Sequence, residues 1–398
     1  TYPHETLNIE DNIEDNKEDV STKFLYGKEG LYNIMNYETL VTPVEQLSNF
    51  EYKPLMLKKY GRIFELDKIG TYSSKIESIC KAVQNSTGIV LIYSRYLEEG
   101  LLPVALALEE MGITRYSYAS HIKPFFKKGK PYLNPLTMKP KTGNDKYIAK
   151  YTMITGTKLF SPNNEQDLEL VMNPENKDGK FVKVVMISEA GSEGLDFKCI
   201  RQVHILEPWY NMSRIEQIIG RGVRNKSHCS LPLEQRNVEI YMHVSYNKTD
   251  YETADMYMYR LAEEKAIQIG KITRILKESA IDCLLSQKQN DFMEEKMKET
   301  LEISLSANNK KITYKIGDKP FSSKCDYMED CELTCKPSKD VENINNTTYN
   351  IRHIQQSKEG IVKRIRELYR DRPFFTLKEL LTEIQAINKY PIEEVYYT

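Results

Sequence analysis

An α/β fold, a parallel sheet with helices on both faces, is predicted by three observations. Short apolar runs rich in β-branched residues recur at Gly88–Tyr93, Phe181–Ile187, Val203–Leu206 and Val238–Val244. Buried parallel strands read in this way, without polar alternation. Stretches with helical spacing separate the runs, among them Glu98–Met111 and Arg214–Gly220, which is the order of a crossover-connected sheet. Third, a glycine-broken turn, Ser188–Asp196, follows the second run directly. Open α/β sheets bind ligands at such carboxyl ends of strands.

The elements follow in order. Residues 1–50 are expected to be an acidic, partly flexible lead-in, with Glu10, Asp11, Glu14, Asp15, Glu18 and Asp19 set against Lys17 alone in residues 10–19. Residues 51–250 form the sheet-bearing lobe. A helix over 73–85 precedes the first strand; the next helix places Leu101, Leu102, Ala105 and Leu108 on one face and is closed by Gly112. Residues 113–150, rich in Lys, Pro, Tyr and Gly, interrupt the alternation and are expected to be a surface insertion. Tyr151–Ile154 resumes it as a strand, followed by a short helix over 165–172. Residues 251–320 read as a helical extension, with Met256, Tyr259, Ala262, Ala266, Ile269, Ile272 and Leu276 at helical spacing. A Cys-bearing segment and an Asn-rich linker span 321–350. The tail, 351–398, holds one helix with Ile361, Ile365 and Leu368, and a second with Leu377, Leu380, Leu381 and Ile384 capped by Thr376. A third begins at Pro391. Three short helices of this size resemble the front of a winged-helix module.

Hydrophobic content of 40% with 28% charged residues is that of an ordinary globular protein. No apolar run approaches the ~20 residues a spanning helix needs, so no membrane role is expected. Net charge is −1 and argues neither for nor against a nucleic-acid partner. Seven cysteines, an odd number, point to a reducing compartment rather than a disulfide framework. A first residue of Thr rather than Met suggests a piece of a longer chain.

Two motifs carry chemistry. Arg221 and Arg224 lie three residues apart on an expected helix, and guanidinium groups can together stabilise the charge that develops on a transferring phosphoryl group. Gln217 precedes them by one turn, and Gly220 and Gly222 permit a close approach. The bland alternative is a solvated basic helix. Upstream, Asp196 is placed to hold a ribose hydroxyl, Ser188 and Ser192 a nucleic-acid phosphate, while Gly191 and Gly194 keep the backbone bare. A tight surface turn with a capping aspartate is the alternative there. No G-x-x-x-x-G-K-[ST] loop occurs in the 398 residues. Gly270-Lys271-Ile272-Thr273 has the last part only, inside a helical stretch.

The order strand, glycine turn, strand, then Q-x-x-G-R-x-x-R resembles the second RecA-like lobe of superfamily 2 helicases. Ser188, Glu189, Gly194, Leu195 and Asp196 fall on the positions of that family's T-D-x-x-x-x-G-[IL]-D pattern, and Ser94 ends the strand of its fourth motif. More narrowly, Gly88–Ser94, Ser192–Phe197 and His204–Asn211 look like the helicases of large nucleocytoplasmic DNA viruses, the group of the poxvirus early transcription factor small subunit and nucleoside triphosphatase. The resemblance implies a RecA-like sheet, followed by the helical extension and a partial winged-helix-like tail. It implies ATP and Mg²⁺ held mainly by a first lobe absent here, with Arg221, Arg224 and Gln217 completing that site and Asp196 and Gly194 at the nucleotide. It also implies that Ser94, Ser188 and Ser192 grip DNA or RNA. Viral RNA polymerase is the further partner, and host cytoplasm and virion are the expected locations. Alone, the chain is expected to hydrolyse nothing. A DNA-binding transcription factor and a polymerase adaptor, each with an accessory ATPase, are the other readings.

Three features remain. Cys325, Cys331 and Cys335 form C-x₅-C-x₃-C, and no spacing selects a fourth ligand between Cys283 and His353. Reduced thiols are the expectation, zinc the alternative. Trp209 suits packing before base stacking. Lys123, Lys127, Lys128 and Lys130, with Phe125, Phe126 and Tyr132, and the tail cations Lys363, Arg364, Arg366, Arg370 and Arg372, are candidate nucleic-acid contacts.

Overall fold

A computed structural model describes residues 1–3, 22–41, 45–119, 121–189, 194–247, 251–284, 299–305, 308, 310–317, 319–336 and 351–398. The chain divides into two compact units, Thr1–Leu333 and Thr334–Thr398.

The first unit is built on a six-stranded sheet. Its strands are β3 (Ile89–Tyr93), β4 (Thr114–Arg115), β5 (Lys150–Ile154), β6 (Val184–Ile187), β7 (Ile200–Ile205) and β8 (Glu239–Met242). They run in the order β4-β5-β6-β3-β7-β8, and each neighbouring pair is parallel. Because side chains alternate along a strand, β3 feeds two cores. Val90 and Ile92 enter one with α4 (Ser74–Gln84) and α5 (Leu102–Met111), whereas Leu91 and Tyr93 enter the other with α6 (Asn164–Met172) and α7 (Met212–Gly222). The fold class read from the sequence, a RecA-like sheet with helices on both faces, is the observed one.

The folded part begins earlier than the expected boundary at residue 51. Helix α1 (Gly27–Ile34) leads into an antiparallel pair, β1 (Met35–Leu40) and β2 (Gln46–Tyr52), which buries Leu31, Ile34, Met35, Leu47 and Phe50. The acidic run at 10–19 lies outside the described residues. The hairpin layer covers α5 from the side away from the sheet. Every residue from Leu101 to Glu110 is therefore buried, not the single face that the spacing suggested. Two carboxylates are drawn in with it. Glu110 accepts from Tyr52 Oη at 3.0 Å and Arg62 Nε at 3.1 Å. Glu109 accepts from the backbone N–H groups of Phe125 and Phe126 at 2.9 and 2.8 Å and from Tyr151 Oη at 2.7 Å. Burial pushes the Glu109 carboxyl upward against those donors.

Those bonds also correct the reading of 113–150 as a surface insertion. Phe125, Met138 and Ala149 are core residues, and Arg115 stacks on Phe125 with its guanidinium carbon 4.4 Å from the ring centre. The helical extension is likewise only part helix. After α8 (Ala254–Ser279), residues 299–315 form an antiparallel hairpin, β9 (Thr300–Ser304) with β10 (Lys311–Lys315).

Along α8 the buried residues are Ala262, Ala266, Gly270 and Arg274, a row of small side chains ending in a cation. The segment 321–333 lies on that row. Arg274 donates to Asp326 Oδ2 at 2.9 Å, to the Glu332 carbonyl at 2.6 Å and to the Cys325 carbonyl at 3.1 Å, and Lys277 Nζ reaches Asp326 Oδ1 at 2.6 Å. Both Arg274 and Asp326 are buried. Asp326 and Tyr327 adopt left-handed backbone conformations, φ +53° and +54°, which the surrounding contacts must hold. Within this turn Cys325 and Cys331 form a disulfide. The expectation of free thiols is thus corrected, and these two sulfurs are bonded to each other rather than offered to a zinc ion.

The second unit matches its reading closely. Helices α9 (Ile351–Asp371), α10 (Leu377–Gln385) and α11 (Ile392–Tyr397) enclose Ile361, Leu368, Ile384 and Val395. Thr376 and Glu379 form a reciprocal capping box at the start of α10.

Two outcomes follow. A methyl carbon on Gly270 would stand 1.9 Å from the Asp326 carbonyl oxygen, a backbone atom. Gly270→Ala should therefore destabilise the first unit by about 1–3 kcal/mol, seen as a lower urea midpoint; an unmoved midpoint would contradict this packing. Between β7 and β8, His204 Nδ1 and His243 Nε2 are 3.0 Å apart and stack near Tyr241. Burial lowers His204 to about 3 and His243 to about 4. The unfolded chain thus binds protons that the folded one refuses, so stability complete above pH 6.5 falls as pH drops toward 4. Between pH 7 and 5 the loss should be about 1–2 kcal/mol per histidine, and the double variant His204→Gln/His243→Gln should show a shallower acid slope in thermal melts. Parallel slopes would refute the assignment.

Candidate functional site

The carboxyl ends of β6, β3 and β7 lie side by side, because β3 separates two strands that are consecutive in sequence. Such an interruption of strand order opens a crevice at the sheet edge. Three segments meet there: Ser188–Glu189 after β6, Ser94–Arg95 after β3, and Leu206–Glu207 after β7.

Helix α7 brings in the arginines, and its placement rests on Gly222. A methyl carbon there would be 2.9 Å from Val203 Cγ2 and 3.1 Å from Ile200 Cγ2, so the helix backbone rides directly on β7. Gly220 has open space around it, so of the two glycines only Gly222 serves close approach within the lobe. At this separation Phe197 N donates to the Arg221 carbonyl at 3.3 Å, and the Arg221 guanidinium donates to the Leu195 carbonyl at 3.1 Å. Phe197 is fully buried and pins the loop between them. Gly194 has φ +73° with nothing near its absent Cβ. Backbone conformation, not space, is what requires glycine at that position.

Asp196 and Arg224 face each other, with Arg224 Nη1 3.3 Å from Asp196 Oδ1 and about half of each side chain exposed. The two motifs read separately from the sequence therefore converge on one edge. The structure changes one detail: α7 ends at Gly222, so Arg221 and Arg224 do not share a helix face. Arg224 sits on the following turn, where Ser227 Oγ accepts from its N–H at 3.3 Å and donates to its carbonyl at 2.9 Å. His228 fastens the turn to β7, its Nε2 lying 2.6 Å from the Ile200 carbonyl. Nothing in the motif pattern marked Ser227 or His228.

Gln217 accepts from Arg214 Nη1 at 3.4 Å, and Arg214 also approaches Glu189 at 3.4 Å. Ser188 is nearly buried at the end of β6, its N–H bonded to the Ile154 carbonyl at 3.2 Å. Ser192 and Gly191 lie outside the described residues. Ser94 is a correction. It is fully buried, and its hydroxyl lies 2.7 Å from Glu207 Oε1 and 2.9 Å from the Tyr96 carbonyl. Gly100 packs on that hydroxyl, since a methyl carbon there would come within 2.0 Å. Ser94 therefore ties β3 to β7 and presents nothing to a bound strand. The exposed group beside it is Arg95, stacked on Trp209 with its guanidinium carbon 4.6 Å from the ring centre. Arg214 lies near the same ring, at 5.8 Å. An Arg directly after an apolar strand, and a Trp after the next, were the available signals. Trp209 also packs into the second core, as expected.

The basic insertion does not join this edge. Residues 123–130 lie by Gly112–Thr114, at the amino end of β4. Phe125 and Phe126 are buried, and Lys127 and Lys130 are paired with Glu51 and Glu65. Among the described residues, no group of three or more His, Cys, Asp or Glu side chains is placed to hold a metal. No helix among them is long and apolar enough to cross a membrane.

Comparison with known proteins agrees with this geometry. Residues 145–226 match the helicase conserved C-terminal domain family. A termination factor NPH-I homolog of African swine fever virus is 31% identical over 240 residues, 53% of this chain and 33% of the viral protein. A putative ATP-dependent RNA helicase of Acanthamoeba polyphaga mimivirus is 32% identical over 217 residues, 54% of this chain and 39% of that protein. Nucleoside triphosphatase I of Heliothis armigera entomopoxvirus is 29% identical over 214 residues, 54% and 27% of the two chains. The chain thus spans about a third of the length of these relatives. The matched segment, the parallel sheet and the convergence of the glycine turn with the arginine helix make residues 145–226 similar to a helicase conserved C-terminal domain, and the chain similar to the helicase and nucleoside triphosphatase group of large DNA viruses.

Proposed function

We propose that this chain is the carboxyl-side part of an ATP-driven translocase or helicase acting on nucleic acid, working with a first RecA-like lobe that carries the phosphate-cradling loop. The observation that carries the reading is the meeting of Asp196, Arg221 and Arg224 at the sheet edge. ATP with Mg²⁺ supplies the γ-phosphoryl group and the free energy; the residues here suit its polar rim. Arg221 is held by the Leu195 carbonyl at a fixed distance from the β7 end, which is the preorganisation that charge stabilisation requires. Arg224 is half exposed and its ion pair with Asp196 is of a kind worth about 0–1 kcal/mol. Both partners are therefore available, the arginine to a phosphate and the carboxylate to a ribose hydroxyl. Gln217, one turn before Arg221, would hydrogen-bond the facing lobe or a phosphate.

Strand contact would fall to Ser188 and Ser192 of the glycine-bearing motif and to the exposed Arg95 guanidinium on Trp209. Closing of the two lobes around ATP and reopening after hydrolysis would advance the strand. The African swine fever virus relative is named a termination factor, which supports a link to transcription; viral RNA polymerase is the partner proposed for that role.

Steady-state ATPase activity of the whole protein, with and without single-stranded DNA or RNA, tests the reading beside Arg221→Ala. One polymer should stimulate hydrolysis, and the variant should lose about 100-fold or more in kcat, as loss of an arginine finger does. The present chain by itself should show no turnover. Equal rates for wild type and variant, or turnover by this chain alone, would sink the proposal.

A further inference from the structure

The cations of the tail are not one population. Arg364 is spent inside the second unit, 3.8 Å from Glu383 and 3.7 Å from Glu367. Arg372 pairs with Glu379 at 3.4 Å and stacks on Phe374 and Phe375. Lys358, Lys363, Arg366 and Arg370 differ: all four are exposed, and none has an ion-pair partner among the described residues. On a helix of 3.6 residues per turn Lys363, Arg366 and Arg370 fall within about 60° of one another on the side opposite the buried Ile361 and Leu368, and Lys358 lies on the flank of that side, one turn before Val362. They line a shallow groove with Val362, Glu359 and Glu367. Tyr369, 44% exposed, sits at the edge of the same side.

We propose that this face of α9, carried by Lys358, Lys363, Arg366 and Arg370, is a second nucleic-acid contact, binding the phosphate backbone of a strand. The inference rests on the helicase reading only for supposing that nucleic acid is present. The charge pattern supplies the rest. From residue 358 to 370 the helix rises about 18 Å, which matches roughly five phosphates of one strand in a duplex. Two of the four cations are guanidinium groups, whose planar donors fit phosphate oxygens bidentately. An exposed tyrosine beside such cations offers a base a stacking surface. A membrane surface fits poorly, because an interfacial helix needs its apolar side for the lipid and that side of α9 is closed by α10 and α11. Among the described residues Glu359 has no ion-pair partner, and its charge within the stripe weakens it.

Fluorescence anisotropy of the intact protein with labelled single-stranded and duplex DNA and RNA, over a salt series, tests this. The variant Lys363→Gln/Arg366→Gln/Arg370→Gln keeps good helix formers on an exposed face. It should bind about 10-fold or more weakly and reduce the slope of log K against log salt by about 2–3. Glu359→Lys should tighten binding and steepen the slope by about 1, a gain that misfolding cannot produce. The polymer most affected identifies the strand. Unchanged slopes in both variants overturn the proposal while leaving the helicase reading standing. Failure of the wild-type protein to bind any nucleic acid overturns both. Displacement of the nucleic acid by polyglutamate at equal charge concentration would overturn it in favour of an acidic protein partner.

Discussion

The contact on which the site depends is the one between the backbone of α7 and β7. Gly222 permits it, because any larger residue would meet Val203 and Ile200. At that distance the end of α7 can exchange hydrogen bonds with the loop after β6, through Phe197 N to the Arg221 carbonyl and Arg221 to the Leu195 carbonyl. Two loops separated by more than twenty residues become one rigid edge. A helix standing one methyl group farther off would leave Arg221 without its carbonyl and Asp196 without Arg224. The helix thus acts as a shim whose thickness sets the geometry of the edge.

A second constraint holds the other face. Helix α5 is buried on all sides, so its two consecutive acids cannot reach water. Each is instead made an anchor: Glu110 for the hairpin layer through Tyr52 and Arg62, Glu109 for the insertion through Phe125, Phe126 and Tyr151. A buried carboxylate without donors would be strongly destabilising, so these bonds fix where both layers sit. The consequence reaches the sheet edge, because α5 starts beside Gly100, which packs on Ser94.

This division explains what was legible in the sequence. Strands β3, β6 and β7 announced themselves because buried parallel strands are continuous apolar runs, and Asp196, Arg221 and Arg224 because their motifs are local. What failed was non-local. Ser94 looked exposed at a strand end, but its partner Glu207 is 113 residues away and no spacing reveals that. Phe125 and Phe126 lay in a lysine-rich stretch that reads as surface, while the acid that captures them sits on α5. The folded hairpin at 35–52 was missed because Asn, Glu and Gln are mixed into it and only one of its faces is apolar. The turn at 325–331 reads in the sequence as reduced thiols, whereas Cys325 and Cys331 form a disulfide, in a turn that Arg274, 52 residues away from Asp326, holds in place.

The two arginines of the site are not equivalent, and the difference follows from what each touches. Arg221 is clamped to a backbone carbonyl that cannot titrate or move away while Phe197 stays buried. Its position is a property of the fold. Arg224 lies past the helix end, on a turn fixed by Ser227 and His228, and its only described ionic contact is an exposed carboxylate that water screens. Under the proposed reading, a nucleotide entering from the opposite lobe would meet one preset guanidinium and one that must first leave Asp196. Separating that pair costs little, and it frees the carboxylate as it frees the arginine. Engagement of the phosphate and of the ribose would then be coupled through a single weak ion pair, so that neither residue is committed until the nucleotide is there to take both.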